Sequence, residues 1–226
     1  MTNELRFLGH SAFYIKTGKY GILIDPFLSQ NPLATFDLNK EIVTHILVTH
    51  AHNDHLGDAI PISKATKAKI IAVFELANYC SAQGANALPV GIGGEIKQEW
   101  GSVWFLPACH TSSLPDGRYA GESVSLLLDI EGVRIFHAGD TALTKEMELI
   151  GELYKPYYAL LPIGGHFTMG IPEAALAAKF LGAKEVIPMH YNTFDMIKAN
   201  PIEFEMLLAS QNQKCLTLNP GESIEF

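Results

Sequence analysis

The run Thr49-His50-Ala51-His52-Asn53-Asp54-His55 sets three imidazoles and one carboxylate within six residues, at the end of the apolar stretch Ile46 to Val48. In an extended segment, residues two apart point to the same side, so His50 and His52 can grip one metal ion together. Asp54 and His55 follow where the chain turns towards a helix expected to begin near Leu56, within reach of a second ion. Imidazole nitrogen and carboxylate oxygen suit zinc and other first-row divalent ions, and no thiolate stands beside them. The pattern points to an open, hydrolytic site, not a closed structural zinc. Histidines on a surface loop would explain one isolated imidazole, but they explain this spacing poorly.

Three further elements end apolar runs with a possible ligand: Cys109-His110-Thr111, Phe136-His137-Ala138-Gly139-Asp140-Thr141 and Ile187-Pro188-Met189-His190-Tyr191. The order His-x-His-x-Asp-His, a later His, an Asp in a Gly-Asp-Thr turn and a final His resembles the ligand set of the metallo-β-lactamase superfamily. The resemblance runs from Leu5 to Tyr191. It implies that His50, His52 and His110 hold a first metal, that Asp54, His55 and His190 hold a second, and that Asp140 bridges them. Asp25 resembles the superfamily's first motif, an aspartate that braces the metal loops without binding metal. Histidine at position 52, where oxygen-reducing di-iron relatives carry glutamate, leans towards zinc-type hydrolysis. The activity implied is hydrolysis of a small ester, lactone or phosphodiester by a hydroxide activated between two divalent ions. Zinc is the first expectation, with manganese, iron or nickel as alternatives. Asp54 would also be catalytic, orienting that hydroxide.

Other histidines carry two readings each. His10, in Leu8-Gly9-His10-Ser11, is similar to the Gly-His of a subgroup that includes ascorbate-6-phosphate lactonase-like proteins; it either touches substrate or caps a backbone carbonyl. His166, in the glycine-rich stretch Gly164-Gly165-His166-Phe167, is either a catalytic, substrate-side group (general acid or oxyanion donor) or a structural loop residue. His137 is expected behind the ligands, His45 in the core or at an edge, and Cys109 as a packed thiol facing away from His110.

Positioning these groups requires strands that end at one place. Leu5 to Leu8, Ala12 to Lys16 and Gly21 to Ile24 read as a meander, and Ile46 to Thr49 as a further strand. Strand and helix then alternate through Gly57 to Ala65, Ile70 to Val73 and Glu75 to Gln83. Strands return at Val103 to Pro107, Ser123 to Ile130 and Val133 to Phe136. The last third reads as helices Lys145 to Leu153, Pro172 to Leu181 and Pro201 to Ser210 around strands Ala159 to Pro162 and Glu185 to Pro188. The expected fold class is α/β. The resemblance sharpens this to a four-layer αββα sandwich, two mixed sheets flanked by helices, as one domain over residues 1–226.

With 226 residues, 48% of them hydrophobic, the chain can fill a sizeable core. A formal net charge of −8 provides no basic footprint for extended nucleic acid. Three widely spaced cysteines suggest no disulfide framework and fit a reducing cytoplasm. Neither a signal peptide nor an apolar run of about 18 residues is apparent, so no membrane partner is expected. A small-molecule substrate is the expected partner, with a homo-oligomer consistent with an apolar face on a late helix. Two alternatives stand beside the hydrolase: a metal-holding but catalytically idle binding or regulatory protein, and an RNA-processing phosphodiesterase, which would need a basic arm.

Overall fold

Alternating apolar residues and tight turns fold the first segment into a meander of β1 (Glu4–Gly9), β2 (Ala12–Thr17) and β3 (Tyr20–Ile24), paired antiparallel. The computed structural model describes residues 2–226. Beyond β3 the chain crosses over, and β4 (His45–Leu47), β5 (Lys69–Val73) and β6 (Ala87–Val90) add in parallel. The crossovers carry α1 (Asn53–Leu56), α2 (Ala59–Thr66) and α3 (Phe74–Ala82).

The second half repeats this plan. β7 (Glu95–Gln98), β8 (Gly101–Pro107), β9 (Val124–Ile130) and β10 (Val133–His137) pair antiparallel. β11 (Tyr158–Pro162), β12 (Glu185–Met189) and β13 (Lys214–Cys215) then extend the sheet in parallel. Their crossovers carry α4 (Glu146–Tyr154), α5 (Ile171–Leu181) and α6 (Pro201–Ser210), and β14 (Ser223–Glu225) returns to pair with β1. The result is two seven-stranded mixed sheets, in the orders β14-β1-β2-β3-β4-β5-β6 and β13-β12-β11-β10-β9-β8-β7.

Every residue of β4 and β11 is buried, as is every residue of β3 after Tyr20. Strands buried on both faces need a layer on each side. One continuous apolar cluster joins residues of both sheets to residues of α2, α3, α4, α5 and α6, which is the αββα packing expected. No helix among the described residues is long and apolar enough to cross a membrane. The late helix α6 exposes Ile202 and Met206.

Most elements lie where periodicity puts them, within a residue or two. Two differences bear on the site. The strand expected to reach Thr49 ends at Leu47, because the Thr49 amide is taken by the Asp25 side chain and its carbonyl accepts from Val124 of the other sheet. The helix expected from Leu56 is preceded by the single turn α1, which contains Asp54 and His55. The unread strands β6, β7, β13 and β14 are the four sheet edges, where a short strand needs little apolar patterning.

Candidate metal centre

Parallel strands β3, β4, β10, β11 and β12 deliver their C-terminal ends to one rim, and the loops leaving them carry Asp25, His50 to His55, Asp140 and His190. All seven residues expected as ligands meet there. Ring nitrogens of His50, His52 and His110 lie within 4.8 Å of one another, as do ligand atoms of His50, His55 and Asp140, and of Asp54, His55, His190 and His10. Asp140 spans the groups: its Oδ1 is 3.1 Å from His55 Nε2, while its Oδ2 is 3.2 Å from His190 Nε2 and 3.5 Å from His110 Nε2. His52, Asp54 and His110 are half-buried and form the mouth; His50, His55, Asp140 and His190 are buried beneath them.

Asp25 organises the first loop. It is fully buried, and it accepts from the Thr49 amide at 2.8 Å, the Thr49 hydroxyl at 2.7 Å and His55 Nδ1 at 2.8 Å. Once His55 gives up its second proton, the remaining one stays on Nδ1 towards Asp25 and Nε2 presents a lone pair, the carboxylate–histidine arrangement that supports metal ligation. The Thr49 hydroxyl, spent on Asp25, accepts from His50 Nδ1 at 3.0 Å and frees His50 Nε2 in the same way. That nitrogen lies 3.0 Å from His52 Nδ1. His55 Nε2, both ring nitrogens of His190 and Asp140 Oδ1 are buried and make no aligned hydrogen bond, although the Nε2 atoms lie close to Asp140. Orphaned polar atoms of this kind are costly unless something satisfies them. A set of N and O donors converging at ligand distance fits divalent cations.

The Asp140 turn is braced from both sheets. Gly139 takes a φ of +59°, and a Cβ there would stand 2.8 Å from the Val124 carbonyl and 3.0 Å from Thr49 Cβ. Thr141 accepts from the Cys109 amide at 3.0 Å, which ties this turn to the His110 loop. His137 is fully buried; its Nε2 donates to the Ser11 carbonyl at 2.9 Å and its Nδ1 accepts from the Gly139 amide at 3.1 Å, so it stands behind the ligands as expected. On the other side, the His190 amide donates to the His10 carbonyl at 2.8 Å. His10, Asp25 and His190 have φ values of 59°, 45° and 53°, a left-handed backbone that non-glycine residues seldom adopt.

Electrostatics favour metal binding. Burial pushes the His50 imidazole well below its usual range, and it lowers His52 and His110 as well, leaving neutral rings able to coordinate. Burial also works against charge on His55, Asp54 and Asp140, but neighbours outweigh it. Asp140, Asp25 and Asp54 push His55 well up. His55 and His10 hold Asp54 far down, and His55 and His190 do the same for Asp140. Two ionised carboxylates thus share the site with mostly neutral imidazoles.

A cleft of about 350 Å³ opens over the ligands, lined by His52, Asp54, His110, Thr111, Asp140, Phe167 and His190. Three expectations need correction. His10 does not face this cleft: it is 1% exposed, folded under Asp54 by the tight Gly9-His10 turn. Its Nε2 lies 3.0 Å from Asp54 Oδ2 and its Nδ1 3.0 Å from the Thr193 hydroxyl. His166 is exposed, its ring edge-on to Phe167 at 4.4 Å, and the glycine-rich loop brings Phe167 to the cleft in its place. Cys109 is exposed, because β8 ends at Pro107 and strand alternation no longer governs position 109. His45 sits at the core edge, hydrogen-bonded to Thr44 and Gln98. Thr193, Thr111 and Phe167 were not singled out from sequence. Only Phe167 carried a signal, as the neighbour of a loop histidine flagged for the substrate side.

The model of the Beta-lactamase superfamily domain matches residues 20–191. A UPF0173 metal-dependent hydrolase of Pyrococcus furiosus is 48% identical over 227 residues, covering 99% of each chain. One of Thermus thermophilus is 43% identical over 223 residues, again covering 99% of each. A solved metallo hydrolase of Ignicoccus hospitalis superposes with a TM-score of 0.92 at 38% identity, covering 100% of this chain and 99% of the other. The chain therefore belongs to the metallo-β-lactamase superfamily, within its UPF0173 group, and is a metal-dependent hydrolase.

Proposed function

We propose that the chain hydrolyses a small, uncharged carboxylic ester or lactone at a centre of two divalent ions, with zinc as the ions, in the reducing cytoplasm. The observation that carries the two-ion reading is the set of buried atoms His55 Nε2, His190 Nε2 and Asp140 Oδ1, close together yet without an aligned hydrogen bond, at the meeting of three overlapping groups of candidate ligands. His50, His52 and His110 would hold one ion, Asp54, His55 and His190 the other, with Asp140 between them. When bound, such ions supply a water deprotonated near neutral pH and positive charge for the oxygens that become negative in the transition state. Asp54 lines the cleft and, with Oδ2 engaged by His10, offers its remaining lone pairs to align the attacking water. Phe167 and Thr111 form the wall on which the substrate rests.

Substrate class follows from the lining. None of the seven residues around the cleft is Lys or Arg, and one is Phe, which favours a neutral, partly apolar ester over a phosphodiester that would bring its own negative charge. Three unpaired cysteines support the cytoplasmic placement.

The test is to purify the protein without chelators, count metals by elemental mass spectrometry, and assay a lactone, a carboxylic ester, a thioester and a phosphodiester before and after chelation. Two metals per chain, chelator-sensitive turnover of the lactone or ester, and loss of turnover in Asp54→Ala are expected. Activity indifferent to chelator and to Asp54→Ala would overturn the mechanism. Turnover confined to the phosphodiester would overturn the substrate class alone.

A further inference from the structure

His10 is the one imidazole at the site with both ring nitrogens hydrogen-bonded to side chains outside its own loop, Nε2 to Asp54 Oδ2 and Nδ1 to Thr193 Oγ1, each at 3.0 Å. Its Nε2 belongs to the same close group as Asp54, His55 and His190, so by proximity alone it could be another ligand. Alignment separates the roles. His55 Nε2 and His190 Nε2 lie 3.1 and 3.2 Å from Asp140 oxygens without forming an aligned hydrogen bond, whereas His10 Nε2 points along a hydrogen bond to a carboxylate. A carboxylate only accepts, so His10 Nε2 carries the proton, and its Nδ1 is then the acceptor for the Thr193 hydroxyl.

We propose that His10 is a positioning residue for the second metal. Locked by Thr193, it holds Asp54 Oδ2 in place and thereby sets the orientation of that ligand, without itself binding metal or substrate. The inference rests on the two-ion reading above. The connection also has reach. Asp54 belongs to α1 in the first half of the chain, while Thr193 follows His190 in the second half, so the Thr193–His10–Asp54 series joins the two loops that supply this ion's ligands. The His10 carbonyl, accepting from the His190 amide at 2.8 Å, fastens the same two loops through the backbone. Holding an imidazole at a φ of +59° costs conformational energy, as is common where a functional site dictates the geometry.

The experiment measures both zinc dissociation constants of the full chain by competition with a chromophoric chelator, using Zn²⁺ alone as the probe. His10→Phe keeps the ring volume and removes the donor; it should weaken the second site by roughly 10- to 100-fold, with the first constant unchanged. His10→Gln restores an N–H donor and should recover most of that loss. Thr193→Val should weaken the same site by a smaller factor and add nothing on top of His10→Phe. A role in packing alone predicts the reverse order, with Phe tolerated and Gln not, and would overturn the proposal. So would ¹⁵N spectra of the zinc-loaded protein showing His10 Nε2 without a proton. Asp54→Ala runs in parallel. If it abolishes the second site while His10→Phe leaves both constants unchanged, only this inference fails; if Asp54→Ala leaves both constants intact, the two-ion reading fails and this inference with it.

Discussion

Two of the buried candidate ligands, His50 and His55, are oriented through Nδ1 by Thr49 and Asp25, and Asp25 carries the larger share of that work. It satisfies three donors, two from Thr49 and one from His55, with no solvent contact. Asp25→Ala strands all three and leaves His55 beside fewer carboxylates, so a loss of about 3 to 5 kcal/mol in stability is expected. Asp25→Asn keeps the shape but can accept through one oxygen only, so it should fold better yet hold zinc roughly 10- to 100-fold more weakly. Chemical denaturation and zinc competition on the two variants check this. Equal zinc affinity in Asp25→Asn and the parent would remove Asp25 from the ligand-orienting set.

At the scale of the element, the centre depends on strand ends meeting loops that have no room to spare. Gly139 shows how little. Gly139→Ala would place a Cβ 2.8 Å from the Val124 carbonyl, on a backbone that already has positive φ. Gly182, after α5, has the same φ of +59° but open space around it. Gly182→Ala should therefore cost only the left-handed penalty of about 1 to 2 kcal/mol. Gly139→Ala should cost that plus about 1 to 3 kcal/mol of overpacking, and should also shift Asp140. Thermal melts with metal counts separate the two: both variants melt lower, but only Gly139→Ala should lose bound metal. Comparable metal retention in both would mean that the turn has slack.

For the molecule as a whole, the histidines link stability to pH. Burial lowers His10 to about 4, and it also lowers His45, His50, His52, His110 and His137 from their usual range. Over the window between the ordinary imidazole value near 6.5 and these depressed values, the unfolded chain binds more protons than the folded one. Stability therefore falls as pH drops below about 6.5. His55, pushed up by its carboxylates, acts in the opposite sense: its contribution is present below 6.5 and is lost as pH rises through its folded value. Six lowered rings against one raised give a metal-free melting temperature that declines on acidification from pH 7 to 5. Bound zinc should raise the melting temperature at pH 7 and less so at pH 5, where protons compete for the ligands. A metal-free melting temperature that is flat or rises towards pH 5 would contradict this balance.

The side chains that converge at the rim and most of the core elements were legible in the sequence, because each candidate ligand stands soon after an apolar run and strand periodicity marks where such a run ends. The Asp25 brace came with the family resemblance. Three matters were decided only by the tertiary structure. The φ of His10 turned its ring under Asp54, where a linear reading offered substrate or a capped carbonyl. The loop after β11 carried Phe167 into the cleft and left His166 outside. Thr193 gained its place because the second half of the fold closes over the first, a contact spanning 183 residues of sequence. Local patterning specifies which groups are present and which strand ends present them; which of two neighbouring side chains faces the cleft depends on backbone angles and long-range closure that no short spacing encodes.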